Sequence, residues 1–281
     1  MKPSETEVTL TQAAQDLKDL VDQFAGEEAI EKMTSYRAMQ RVLGEQCRVV
    51  EEEGGSRIEV KGAKEVGGDS LQNPSDPDAG YSGHKGQGYT VQMMETYTTE
   101  EGTTSPRLVT YVEVTSAAVT DHHAIEGAIQ EVEERGVKPA LLLADTLYGS
   151  DENVAKAREH GVELVSPVNS QEGKSGRMPL SCFEVDEEGI MVRCPGGQAP
   201  QRVKRERDMV TVWFERGVCE GCPHREKCPV LWSKKRIRLP YELKSMRSSQ
   251  RRREEEGTEF REKYRWRSGI EGAFSEWDRR T

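Results

Sequence analysis

Two things are scarce in this sequence. Aromatic residues make up only 6% of its 281 positions, and no apolar run approaches the roughly 20 residues of a membrane-spanning helix. The first ten residues, "MKPSETEVTL", have no hydrophobic core of a secretory signal. The expectation is a soluble cytoplasmic protein without membrane contact. Internal repeats are absent. A helix-turn-helix signature is absent too, so sequence-specific DNA-end recognition is not expected from this chain. His84, His122 and His123 show no metal-ligand spacing and read as surface or turn residues, with His84 and Lys85 suited to phosphate contact.

What is present is charge, unevenly placed. Charged residues are 32% of the chain against 34% hydrophobic, which supports a core but leaves much solvated surface. The net charge is −10, yet Gln201–Thr281 holds 22 Lys+Arg against 14 Asp+Glu. The acidic bulk is thus joined to a basic portion able to meet a polyanion, or simply carrying a solvated helix surface. Six cysteines occur, and without an export signal they read as free thiols or metal ligands rather than a disulfide framework.

Hydrophobic periodicity predicts helix over residues 8–46, from Leu10, Ala13, Ala14, Leu17, Leu20, Val21 and Phe24, with Gly26 as an interruption. A packing or dimerising helical pair is its expected role, and a homodimer the assembly it suggests. A hairpin follows around Gly54-Gly55. Residues 64–88 have loop composition. "YTVQMMETYT" and "RLVTYVEVTSA" read as strands, and residues 121–136 as a helix begun by Asp121 and stopped by Gly136. "PALLLADT" reads as a strand buried on both faces. A helix capped by Ser150 or Asp151 and ended by Gly161 comes next, then the strand "VELVSPV". This order predicts an α/β protein with a mixed sheet flanked by helices. The chain divides into a helical segment and hairpin (1–63), a first core part (64–170), a cysteine-rich insertion (171–240) and one long charged helix (241–281).

Three constellations could carry chemistry. Asp145 ends the apolar strand, where open α/β sheets place ligands and where a carboxylate suits a divalent cation. A capping role before Tyr148-Gly149 explains it equally well. Tyr264, Arg267 and Glu271 are spaced by three and four, so they share one face of a continuous helix. Glu271 could hold a metal and Arg267 meet phosphate oxygens, or the two could form an ordinary surface pair. Cys194, Cys219, Cys222 and Cys228, with "CEGCPHREKC" as C-x2-C-x5-C, suit a closed tetrahedral Zn²⁺ site, with His224 as a substitute ligand. Reduced, partly buried thiols are the simpler account. The runs "KKRIR" (234–238) and "RSSQRRR" (247–253) could follow a DNA backbone.

"ADTLYGSDEN" and the Y-x2-R-x3-E run in "YRWRSGIE" resemble the second and third acidic motifs of the DDE transposases of bacterial insertion sequences. "SDPDAGYSGHKGQGYTVQ" resembles the segment leading into the second core strand of one large group of them. The resemblance implies a ribonuclease H-like core interrupted by a cysteine-rich insertion. It implies Mg²⁺ or Mn²⁺ at an acidic triad, metal-dependent cleavage and strand transfer, and double-stranded DNA (transposon ends and target) as substrate near the bacterial nucleoid. Asp145 and Glu271 become the second and third acids, Tyr264 and Arg267 their assistants. The family's lysine two turns on is Asp278 here. No first acid in an Asp-Ser/Gly-Thr strand is found, Asp76 and Asp78 being loop residues near that chain region. The expectation is a transposase fragment, inactive or weak alone; the rival is a non-catalytic zinc-stabilised nucleic-acid-binding module.

Overall fold

The computed structural model describes residues 3–52, 55–98, 106–121, 124–169, 176–233 and 236–278. His122, His123, the Gly54 turn and Lys234-Lys235 lie outside them. The chain is mixed α/β with several small sheets, in two compact units: Met1–Met93 with Val112–Thr120, and Met94–Tyr111 with Asp121–Thr281. The division passes through two strands, Gly86–Glu95 and Val109–Ser116. No helix of the described residues is long and apolar enough to cross a membrane.

In the first unit the predicted helical stretch is α1 (Pro3–Gln23), α2 (Glu28–Glu31) and α3 (Thr34–Gln46). The break falls at the expected glycine. Then come the antiparallel strands β1 (Cys47–Glu52) and β2 (Gly55–Val60). Ala14, Cys47 and Ile58 are buried together against Leu43, and the buried Tyr36 donates its hydroxyl to the Val21 carbonyl at 2.8 Å. The stretch of loop composition is fastened to α3. Leu71 N–H donates to Glu45 at 2.6 Å, and Gln46 donates to the Leu71 carbonyl at 2.6 Å. It leads into β3 (Gly80–Ser82), which pairs with the start of β4 (Gly86–Glu95); β5 (Val109–Ser116) completes that sheet. Asp76 accepts a hydrogen bond from the Tyr89 hydroxyl at 2.6 Å, which pushes that phenol up to about 12.

In the second unit α4 (Ala124–Glu134) and α5 (Asp151–Glu159) pack on the parallel strands β6 (Leu141–Leu143) and β7 (Glu163–Val165). Ile125, Ile129, Ala144, Ala157, Val162 and Leu164 form that core. Ser150 caps α5, its hydroxyl accepting from Asn153 N–H at 3.1 Å. Gly136 and Gly161 close α4 and α5 at φ +71° each, the left-handed conformation expected of helix stops. β6 departs from expectation, because its leucines are only half-buried. Among the described residues it pairs with β7 alone, so the strands predicted for one mixed sheet fall into separately bonded groups.

The cysteine-bearing region builds its own β structure. The hairpin β8 (Glu184–Val185) with β9 (Met191–Arg193) precedes β10 (Arg202–Glu206), β11 (Met209–Phe214), helix α6 (Arg216–Glu220), β12 (Leu231–Trp232) and β13 (Ile237–Glu242). The sheet order is β10-β11-β13-β12, all antiparallel. Alternation buries Val210, Val212, Phe214, Ile237, Leu239 and Tyr241 on one face, against Phe183, Met191 and Met246.

The C-terminal helix is broken, contrary to expectation: α7 (Leu243–Glu255), α8 (Thr258–Tyr264), a 3-10 turn (Arg265–Ser268) and α9 (Gly269–Asp278). Gly257 interrupts it first, since glycine disfavours helix interiors. Tertiary bonds hold the pieces. Lys263 pairs with Glu163 at 2.8 Å, and Arg107 donates to the Gly269 carbonyl at 3.1 Å.

Candidate functional site

Asp145 lies two residues past β6, at the carboxyl end of a parallel strand, with extended backbone (φ −77°, ψ 176°). One carboxylate oxygen accepts from Leu147 N–H at 2.9 Å, capping the 3-10 turn Thr146–Tyr148. The Ser166 hydroxyl donates to the Asp145 carbonyl. Gly149 completes the mount, because a Cβ there would meet the Pro167 carbonyl oxygen at 2.0 Å. The capping account of Asp145 is therefore correct, and it still leaves the second oxygen, Oδ2, facing another group.

That group is Arg267. Its guanidinium stands 3.8 Å from Asp145 Oδ2 and donates to Glu271 Oε1 at 2.8 Å. Two acids 126 positions apart in sequence thus meet on one cation. Glu271 is in the first turn of α9, Arg267 in the 3-10 turn and Tyr264 at the end of α8. Across the break Arg267 and Glu271 stay together through their hydrogen bond. Tyr264 stacks on Phe260 with ring centroids 5.3 Å apart. Burial pushes its phenol above the usual range; Arg267 opposes this while the carboxylates of Asp145, Glu255 and Glu271 add to it.

Sequence reasoning missed two supporting groups, Ser166 and Arg107. Each acts through a backbone partner that no local pattern reveals. The run "RSSQRRR" makes contacts within the protein. Arg247 grips Asp151 at 2.6–3.1 Å, Arg251 donates to the Gly149 and Ser166 carbonyls at 3.1 and 3.2 Å, and Arg253 donates to the Ser181 carbonyl at 2.9 Å. Burial lowers the Arg251 pKa and raises that of Glu255, whose carboxylate accepts from Val168 N–H at 2.6 Å. These contacts hold α7 to neighbouring segments, while Arg247, Arg252 and Arg253 remain exposed. Nearby, Arg251, Glu255, Phe260 and Lys263 help line a cleft of about 570 Å³ beside β7; neither Asp145 nor Glu271 lines it.

Cys194, Cys219, Cys222 and Cys228 share the lining of a cavity of about 20 Å³, room for about one water-sized sphere. His224 lines it too. Gly196 is needed beside the sulfurs, since a Cβ there would stand 3.1 Å from Cys222 Sγ and 3.7 Å from Cys194 Sγ. Burial, reinforced by the other three sulfurs, pushes the Cys219 thiol up to about 11. Four soft donors around so small a space fit Zn²⁺ in chemical type, as two carboxylates fit Mg²⁺ or Mn²⁺. Among the described residues, however, no group of three or more His, Cys, Asp or Glu side chains is disposed to hold a metal ion. Neither the thiols nor the acids form a ready-made coordination set.

Residues 193–281 match the family model described as a transposase DDE domain. Over that segment the chain is similar to the DDE transposases, and the match supports a transposase-type function in general terms. It includes the four cysteines, Tyr264, Arg267 and Glu271; Asp145 lies before it. No curated protein and no solved structure matches the chain.

Proposed function

We propose that this chain carries the metal-dependent DNA cleavage and strand-transfer chemistry of a DDE transposase, acting on double-stranded DNA. Asp145 and Glu271 serve as two of its acids, on a ribonuclease H-like core into which the cysteine-rich region 171–240 is inserted. The observation that carries this reading is the meeting of those two carboxylates on Arg267. A divalent cation bound there would supply Lewis acidity and lower the pKa of water or a 3′-hydroxyl for attack on a phosphodiester.

The chain's own residues do the rest. The Leu147 amide and the Ser166 hydroxyl fix Asp145, so one oxygen is held toward the site. Glu271, 65% exposed, brings an open carboxylate from α9. Arg267 sits where positive charge is wanted. On release from the carboxylates its planar fork is suited to a phosphate's oxygens. Tyr264, a phenol protonated at neutral pH like any tyrosine, is a hydrogen-bond donor on the same helical stretch. At the cysteines, we assign the four sulfurs to one structural Zn²⁺, which their common cavity supports.

The test is Mn²⁺ binding followed by electron paramagnetic resonance. Asp145→Asn and Glu271→Gln should each weaken it about tenfold or more. Binding that is the same in both variants as in the parent protein would remove the acids from the site.

A further inference from the structure

Two arginines of the four-stranded sheet have a different fate from those of α7. Cross-strand register sets Arg202 opposite Trp213, and Trp213 opposite Arg238. These three residues form one row across β10, β11 and β13, on the face turned away from buried Val212 and Leu239. With strands about 4.8 Å apart the row is about 10 Å wide. The Arg202 guanidinium lies over the indole of Trp213, 5.2 Å from its centroid. Arg202 and Arg238 are both exposed, and among the described residues neither makes an ion pair. Neighbouring cations differ: Lys204 pairs with Glu206 at 2.6 Å and Arg205 with Glu188 at 2.8 Å.

A chain of net charge −10 therefore keeps two uncompensated guanidiniums, one on each side of a tryptophan, on one sheet face. Cation, aromatic, cation is the chemistry of an unpaired nucleotide strand: flanking phosphates meet the arginines and, as Arg202 leaves the ring for one of them, a base gives its face to the indole. A duplex fits the row less well, because its base faces are stacked inside and only its phosphates remain to contact. We propose that the outward face of β10, β11 and β13 binds an unpaired DNA segment, with a base against Trp213 and flanking phosphates on Arg202 and Arg238. The inference requires no chemistry at Asp145 or Glu271, so it stands or falls apart from the function proposed above.

The experiment measures anisotropy of a fluorescein-labelled oligo(dT) with the full chain carrying Asp145→Asn, without added Mg²⁺ or Mn²⁺. Trp213→Ala should weaken binding about tenfold and Trp213→Phe should largely retain it. The double variant R202E/R238E should bind far more weakly and lower the log–log salt slope by about 1.4. Circular dichroism and melting confirm that each variant is folded. Affinity unchanged in both Trp213→Ala and the double variant would overturn the proposal. So would a duplex of equal length that displaces oligo(dT) more strongly than unlabelled oligo(dT) does.

Discussion

The acid cluster and the cysteine cavity are both assembled from residues distant in sequence, yet they are built in opposite ways. The thiols are half-buried and three of them pack against the sheet core, around space for about one small ion. The carboxylates are open, Asp145 38% and Glu271 65% exposed, and a single arginine joins them. A closed site loses stability when altered, whereas an open one loses binding. The cysteine cavity therefore reads as architecture and the acid cluster as the place where ligands come and go.

Cys219→Ser is the strongest probe of that contrast. With a structural Zn²⁺ in place it should cost about 3 kcal/mol or more in chemical denaturation and release the metal to a chromogenic chelator. A loss of only about 1 kcal/mol, the effect of placing a hydroxyl among partly buried thiols, would leave the cavity a plain thiol core. At the acids the corresponding substitution should act on binding alone. Arg267→Gln removes a cation from between two carboxylates, so Mn²⁺ should bind roughly five- to tenfold more tightly, with stability changed by less than about 1 kcal/mol. Weaker Mn²⁺ binding in that variant would show Arg267 to be a positioning residue rather than a competitor. The smallest expected effect is at Tyr264, whose folded pKa is raised by burial. Its contribution to stability is present below the ordinary tyrosine pKa of about 10 and is lost as pH rises through the higher folded value. Tyr264→Phe should make the fall in melting temperature above pH 10 shallower, and an unchanged profile would place the phenol in solvent.

The most legible parts of the sequence were those whose pattern is local. The unbroken apolar run before Asp145, the i,i+4 pair of Arg267 and Glu271 and the paired cysteines of C-x2-C all have their geometry written within a few residues. The helix stops at Gly136 and Gly161 were legible for the same reason. Distance in sequence hid the rest. Arg251 looks like any surface arginine until the Gly149 and Ser166 carbonyls, 102 and 85 positions away, are seen to accept from it. The row of Arg202, Trp213 and Arg238 exists only once two strand registers are fixed. The half-burial of β6 likewise depends on how many strands pair beside it.

By itself the sequence determined the residue types and the local shapes: two carboxylates on mounts set by strand and helix, and two of the four thiols at knuckle spacing. Local backbone preference and side-chain period suffice for that. Folding decided which charges face one another. Arg267 lies between the acids, Arg251 and Arg253 of α7 reach carbonyls while Arg247 meets Asp151, and Arg202 and Arg238 of the sheet make no ion pair among the described residues. The physical reason is that charge pairing depends on separations of a few ångströms, and chain order does not encode them.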